Sequence, residues 1–446
     1  MFTEAQKEIN SLITRVFNDQ EKNGSLDMES VECAVRSSMH RAGAVLLEKL
    51  VNADDGGHCG ARIDCGEGQV AEFVDYRAKQ VTTMLGSVNV RRAYYYCAAL
   101  EKGFFPKDVS LDIEKTGFSP CVRRMMALVG AKESFDAGRD DLRILAGVNV
   151  TDKDVERIAE GLGHHIEATA QNERQQSTLS NVTPLSPAIE NLYIAIDGTG
   201  VPMTKTETEG RKGKDESGQA KTREAKLGAL FTASEIDKEG RPVRDKDTTV
   251  YTGGIETCEE FGERIYAEAM RYGLMRAKTV SVLGDGALWI WNLTADKFPG
   301  AIQILDYFHA TEHLGDVAKA VHAKNKVIRD LWLDTQCKEL LEGDVAVVIE
   351  AIRRMETDSE DVKEIIRTTV QYFETNEHRM QYAKFRKMGL FIGSGVIEAG
   401  CKTIVGQRLK QSGMRWTVRG ANSIISLRCC QISGQWEDYW ENRRVA

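Results

Sequence analysis

The chain has 446 residues, 42% hydrophobic and 28% charged, with 59 Lys and Arg against 67 Asp and Glu for a formal net charge of −8. This is the balance of a globular protein with chain enough for about three domains or one elaborated core, and it excludes a wholly polybasic nucleic-acid packer without excluding a local DNA-binding patch. No run approaches the ~20 apolar residues of a membrane span, the opening MFTEAQKEIN lacks a signal-peptide core, and ten cysteines are too few for a disulfide scaffold, so a cytoplasmic protein with free thiols is expected.

Residues 1–53 read as a helical region, because Val31, Ala34, Val35, Ala44, Val45, Leu46 and Leu50 recur at helical spacing. Glycines and aspartates at 52–60 break that pattern. The region 54–106 turns to a β pattern: VTTMLGSVNVRRAYYY is rich in β-branched and aromatic residues, with Gly86 between two strand-like runs. Region 107–190 returns to helix. Within it DLRILAGVNVTDKDVERIAEGLG holds two short helical patterns around Gly147, with Thr151 as N-cap, a spacing compatible with helix-turn-helix. The second helix of that pair carries Asp152, Asp154, Glu156 and Glu160, which favours helix packing over groove reading. The polar stretch 172–190, with two prolines, is expected to be a linker.

Region 191–310 opens with the apolar run NLYIAID, ending in Asp197, followed by a charge-mixed stretch at 203–224 that reads as a mobile loop. AKLGALFTAS and TTVYTGGI read as strands, and 257–273 as an amphipathic helix ended by Gly273. TVSVLGD is a buried strand ending in Asp285, GALWIWNLTADKF a helix and AIQILDYFH a strand. Region 311–388 is helical and charge-mixed. Region 389–446 holds GSGVIEAGCKTIVGQRLK and a basic segment with Trp416.

The order β-β-β-α-β-α-β predicts an α/β fold with a mixed sheet flanked by helices. Asp197 and Asp285 close two of its strands, and the carboxyl ends of strands are where open α/β sheets place their sites. A third acid, Glu398, lies in a glycine-led helix start. Three carboxylates at one edge suit a hard cation, Mg²⁺ above all, which takes one or two carboxylates with phosphate oxygens and water. Two such ions can activate a nucleophile and stabilise the leaving oxygen of a phosphodiester. The competing reading, acids that merely cap loops, stays open on spacing alone. Residues 377–420 carry nine cations against two acids, and Lys402, Arg408, Lys410, Arg415 and Arg419 follow Glu398 closely, as a phosphate-tracking strip would. Trp416 beside Arg415 suits either stacking on a splayed base or core packing.

The blocks IAIDGTGVPM, REAKLGALFT, YTGGIETCEEFGERIYAEAMRYG, VSVLGDGALWIWN, ILDYFHATEHL and GSGVIEAGCK, in this order, resemble the DDE transposases of bacterial insertion sequences, specifically the ISKra family. The resemblance covers about residues 60–440. It implies an RNase H-like mixed-sheet catalytic core at 191–310 and 389–446, interrupted by a helical insertion at 311–388 and preceded by a helical and small β-ribbon N-terminal region. It implies Asp197, Asp285 and Glu398 as catalytic acids holding two Mg²⁺ or Mn²⁺ ions, with Asp306 and His309 of DYFH as an auxiliary acid-x-x-His pair. The implied partners are double-stranded DNA, as the element's terminal inverted repeats and its target, and further copies of the chain on that DNA. The implied place is the bacterial nucleoid, with no membrane contact.

Relatives of this kind also carry a Cys-rich ribbon with two Cys pairs. Here Cys59, Cys65 and Cys97 are the candidates, but Leu100 stands where a second Cys would complete Cys-x-x-Cys. Structural Zn²⁺ wants four N or S ligands, so zinc is left open, with His58 as a substitute ligand. A metal-free β unit held by Val81, Leu85, Val88, Val90 and Tyr94 is the simpler expectation. Arg91 and Arg92 are further candidate DNA contacts. The expected activity is DNA cleavage at element ends and strand transfer into a target. Three alternatives remain: a hydrolytic nuclease or resolvase on the same core, a domesticated DNA-binding protein with an inactive site, and a carboxylate-pair glycosidase. The last needs no metal and leaves the basic strip without a role.

Overall fold

The computed structural model describes residues 27–66, 68–179, 188–213 and 220–443, with isolated helical positions before residue 15. Most of 1–26, and parts of the expected linker (180–187) and charged loop (214–219), lie outside the described residues. The chain forms two compact units, Met1–Glu160 with Arg443–Ala446, and Gly161–Asn442.

In the first unit, α1 (Met28–Val51) starts at Asp27, whose carboxylate accepts the Ser30 N–H at 3.0 Å. A four-stranded antiparallel sheet follows in sequence order: β1 (Arg62–Asp64), β2 (Val70–Thr83), β3 (Gly86–Cys97) and β4 (Lys102–Phe104). The β2–β3 turn needs Gly86, at φ +128°. Successive strand residues point to opposite faces, and β3 buries one face at each end. Val88 and Val90 pack with Val81 and Ile113 beneath Ala44, Leu47 and Val51 of α1, while Ala93, Tyr95 and Cys97 form a second cluster with Ala71.

Next, α2 (Pro120–Lys132) opens with Pro120 behind the Ser119 cap. It is followed by α3 (Phe135–Asp141), a π turn over Leu142–Ala146 and Gly147 at φ +67°. The long helix α4 (Asp152–Leu179) comes next. Its first turns set Val155 against Val122, Met126, Leu142 and Val148. Its acids sit where the helix dipole favours them: Asp154 accepts the Thr151 hydroxyl at 2.7 Å and pairs with Arg157 at 2.8 Å.

The expected linker is corrected by α4, which stays helical to Leu179. Tertiary contacts in the second unit hold this polar stretch. Gly163 lies against the backbone of Ser423, Glu167 pairs with Arg264 and Arg174 at 2.7 and 2.6 Å, and Glu173 pairs with Arg271 at 3.1 Å.

The second unit is a mixed α/β fold. Its chain order is β5 (Ile189–Pro202), β6 (Thr222–Thr232), β7 (Val250–Gly254), α5 (Cys258–Tyr272), β8 (Ala277–Gly284), α6 (Leu288–Lys297) and β9 (Ile302–Leu305). The spatial order is β9-β8-β5-β6-β7, with β5, β6 and β7 antiparallel and β8 and β9 parallel to β5. Residues 192–196 of β5 are buried on both faces. A β-carbon at Gly228 would meet Ile265 and Phe261 of α5, whereas its neighbour Leu227 packs toward Gly400 on the other side. A capping box, Thr257 with Glu260, starts α5, and Gly273 at φ +122° ends it.

The helical stretch then supplies α7 (Tyr307–Val321), α8 (Lys326–Glu342), α9 (Val345–Arg353) and α10 (Glu360–Asn376). AIQILDYFH is therefore strand only to Leu305. After it, α11 (Gly395–Gly400) runs through a π turn to Leu409, and α12 (Val418–Ile432) packs on β7. Among the described residues no helix is long and apolar enough to cross a membrane.

Candidate active site

Strands β5 and β8 are parallel neighbours, with Ala195 opposite Leu283. Two residues further along stand Asp197 and Asp285, so register alone carries both acids to the same end of the sheet. Asp197 is not the last residue of its strand: β5 runs on to Pro202, paired from there with β6 alone. Glu398 comes from α11, which packs on this end of the sheet through Gly400 against Leu227, the β6 residue paired with Asp197.

The three acids interact electrostatically. Burial pushes the Asp197 carboxyl above its ordinary value; a hydrogen bond from the Cys401 thiol and another from the Gly198 N–H pull it back, and Asp285 and Glu398 push it up again. Each carboxylate is also held by its own neighbour. Asp197 Oδ1 accepts the Gly198 N–H at 2.7 Å, Asp285 Oδ1 accepts the Ala287 N–H at 2.9 Å, and Glu398 Oε1 accepts the Ser394 hydroxyl at 3.3 Å. Among the described residues no three His, Cys, Asp or Glu side chains are gathered tightly enough to ligate one ion. The donor chemistry does fit a hard cation: three carboxylates share one rim, and the mutual repulsion at Asp197 is the kind a cation relieves.

Asp306 and His309 sit one turn apart at the start of α7. Asp306 is 1% exposed. It caps the helix by accepting the His309 N–H at 2.7 Å, and its other oxygen accepts the Ser394 N–H at the head of α11. His309 is on a first helical turn rather than at a strand end, with Nδ1 3.4 Å from Glu312. Two residues with no assigned role in the sequence also belong here. Cys401 lies three positions after Glu398, a helical spacing that puts both on one face. Tyr372, from α10, hydrogen-bonds to the Asp285 carbonyl at 3.0 Å and has no local sequence signal at all.

The basic strip divides. Lys402, Lys410, Arg415 and Arg419 are exposed, and Lys410 Nζ donates to Thr199 at 2.6 Å, two residues from Asp197. Arg408 and Trp416 are corrections to the expected DNA contacts. Arg408 is 0% exposed, with its guanidinium 4.9 Å from the Trp416 ring. Trp416 is 6% exposed and donates its indole N–H to the Leu409 carbonyl at 3.0 Å. Its backbone bridges Met203, continuing the end of β5. Both side chains are enclosed within the tail, on Leu409, Met414 and each other, while the Trp416 backbone joins the tail to the sheet, and no ring face is left for a base.

In the first unit, Arg92 is likewise buried on Asp108 at 2.7 Å, while Arg91 lies over the Tyr76 ring at 3.6 Å. Cys97 is buried in the apolar cluster of β2 and β3, and the half-buried Cys65 packs against that cluster. Desolvation and the neighbouring Cys97 push the Cys65 thiol up to about 11. Cys59 is exposed and turns to the Gly57 carbonyl at 3.5 Å.

A protein from Streptococcus gallolyticus, described as a UPF0236 protein in the vanSb 3′ region, is 22% identical over 377 residues, 82% of this chain and 75% of that protein. Among solved structures, a Drosophila P element transposase strand transfer complex aligns over 72% of this chain and 80% of that chain, with 10% identity and a TM-score of 0.23. The sequence profile of the uncharacterised protein family UPF0236 matches residues 20–444, a span that takes in both compact units, the three acids and the exposed lysines beside them, and the chain belongs to that family.

Proposed function

We propose that this protein is a DDE transposase of the ISKra type on an RNase H-like core, cutting DNA at the ends of an insertion sequence and joining those ends to a target. The observation that carries the reading is the convergence of Asp197, Asp285 and Glu398 on one end of a mixed sheet, where three antiparallel strands are followed by two parallel to the first. The six ordered sequence blocks support it, and the exposed Lys402 and Lys410 beside the acids suit a phosphate backbone.

In cleavage a water oxygen attacks the phosphodiester phosphorus, leaving a 5′-phosphate and a free 3′-hydroxyl. In joining, that hydroxyl attacks a target phosphodiester phosphorus in line, forming the new P–O bond as the target P–O3′ bond breaks and a target 3′-hydroxyl leaves. Asp197, Asp285 and Glu398 would hold two Mg²⁺ or Mn²⁺ ions, which when bound supply Lewis-acid stabilisation of charge on the reacting oxygens. The chain's own part is positioning. Gly198, Ala287 and Ser394 each donate to one acid and fix its orientation. In this reading His309 is the auxiliary phosphate contact, and the protein acts as a homo-oligomer on its DNA ends.

The test incubates purified protein with DNA carrying the element's own ends, in Mg²⁺ or in EDTA, beside Asp285→Ala. Mg²⁺-dependent nicking at the ends with joined products, both lost in the variant, supports the reading. Nicking with no joined product indicates a hydrolytic nuclease. End binding with no cleavage under any divalent ion indicates a DNA-binding protein and overturns the proposal.

A further inference from the structure

The Asp285 turn is held from outside its own strand. Residues 285–287 leave β8 at the rim of the sheet, and the Asp285 side chain already accepts the Ala287 N–H at 2.9 Å. The backbone carbonyl of the same residue accepts a hydrogen bond from the Tyr372 hydroxyl at 3.0 Å. Tyr372 lies 87 residues away, near the end of α10 in the helical stretch. The fit is close: Gly286 adopts φ +97°, and a β-carbon there would lie 2.6 Å from the Tyr372 oxygen. Only glycine satisfies both the backbone and the approach.

Tyr372 is itself fixed. Its ring lies on His313 of α7, with centroids 4.1 Å apart and planes 32° from parallel. Its carbonyl accepts the Asn376 side chain at 2.9 Å, Asn376 accepts from Arg379 at 2.9 Å, and Arg379 donates to Gln303 of β9 at 2.7 Å. The helical stretch is thus anchored to the strand next to β8, and its tyrosine reaches back to the turn that carries the second acid.

We infer that Tyr372 is a positioning residue for Asp285: through its hydroxyl the helical insertion fixes the turn and aims the Asp285 carboxylate toward Asp197. The inference rests on the proposed function, since it gives the insertion a part in assembling that site. A hydroxyl that orients a ligand without touching it should govern ion affinity and turnover, not DNA binding.

The experiment compares wild type, Tyr372→Phe and Asp285→Asn in the full chain. Phenylalanine keeps the ring on His313 and removes only the hydroxyl. Mn²⁺ binding is read by electron paramagnetic resonance, DNA affinity by filter binding, melting by calorimetry and nicking of element-end DNA by gel. The expected result for Tyr372→Phe is Mn²⁺ affinity weakened about five- to tenfold, the scale of one hydrogen bond. The nicking rate should fall in step, with DNA affinity unchanged and the melting temperature lowered by no more than about 2 °C. Wild-type Mn²⁺ affinity and rate in Tyr372→Phe, with Asp285→Asn losing the ion, overturns the role of Tyr372 alone. Full Mn²⁺ binding by Asp285→Asn overturns the site itself and this inference with it.

Discussion

Asp306 accepts the backbone N–H of Ser394, so one buried carboxylate both starts the helical stretch and fastens the turn that ends it. With one oxygen on the His309 N–H and the other on Ser394, it ties α7 to α11 and so places the helix that carries Glu398. Removing it strands the buried Ser394 N–H and the half-buried His309 N–H. Asp306→Ala is therefore expected to cost about 2–4 kcal/mol in urea unfolding, with Asp306→Asn recovering part of the loss through its remaining acceptor. Equal stability of the Ala variant and wild type would show that water replaces the carboxylate freely.

Glu167 on α4 is held between Arg264 and Arg174. Burial would raise its carboxyl, but Arg264 and then Arg174 outweigh that and hold it below its ordinary value. A depressed carboxyl stabilises the fold above the unfolded value near pH ~4.3, and that stability is lost as pH falls through the lower folded value. Glu167→Gln should cost about 2–3 kcal/mol at pH 7, less than a fully enclosed pair because the side chain keeps 27% exposure. The difference from wild type should shrink below about pH 4.

Asp197 has the opposite sign. Its carboxyl is raised, first by burial, so the protonated form suits the folded state, and the ionised form at neutral pH weakens it. In EDTA, Asp197→Asn should melt about 1–3 °C above wild type at pH 7.5. That gain should shrink as pH falls through the raised folded value and be gone below about pH 3, under the unfolded value of ~3.9, where the wild-type carboxyl is protonated in both states. Mg²⁺ should raise the melting temperature of wild type and not of the variant. A variant less stable than wild type at pH 7.5 would show that Asp197 is a structural residue.

Lys402 and Lys410 are exposed, whereas Trp416 is enclosed. Replacing both lysines by Ala should reduce the dependence of log K on log salt by about 2, roughly one per phosphate contact, with no change in melting. Trp416→Ala should instead destabilise the fold by about 3–5 kcal/mol, the usual result for an enclosed tryptophan. A stable Trp416→Ala protein that loses DNA affinity selectively would restore the base-stacking role that burial argues against.

Much of this architecture was legible in the residues. The runs NLYIAID and TVSVLGD announce buried strands, and the helix of Cys258–Tyr272 is written in its capping box and in the glycine that ends it. These signals are local: hydrophobic alternation, caps and glycine breaks act between residues a few positions apart, and they survive wherever the segment packs. The linker expectation failed at 172–179 for the same reason, because Glu173 looks like a loop residue until its partner Arg271 on α5 is in place.

By itself, then, the sequence determined most of the strands and helices, though not all of their ends, and it carried the three acids and the lysines. The tertiary structure alone decided that Asp197 and Asp285 stand in register across β5 and β8. It also decided that Arg408 and Trp416 are interior, and that Cys401 and Tyr372 attend the acids. The physical reason is that burial and long-range hydrogen bonds depend on which surfaces meet. Tyr372 and Asp285 are 87 positions apart, and nothing in the local pattern of either foretells the other.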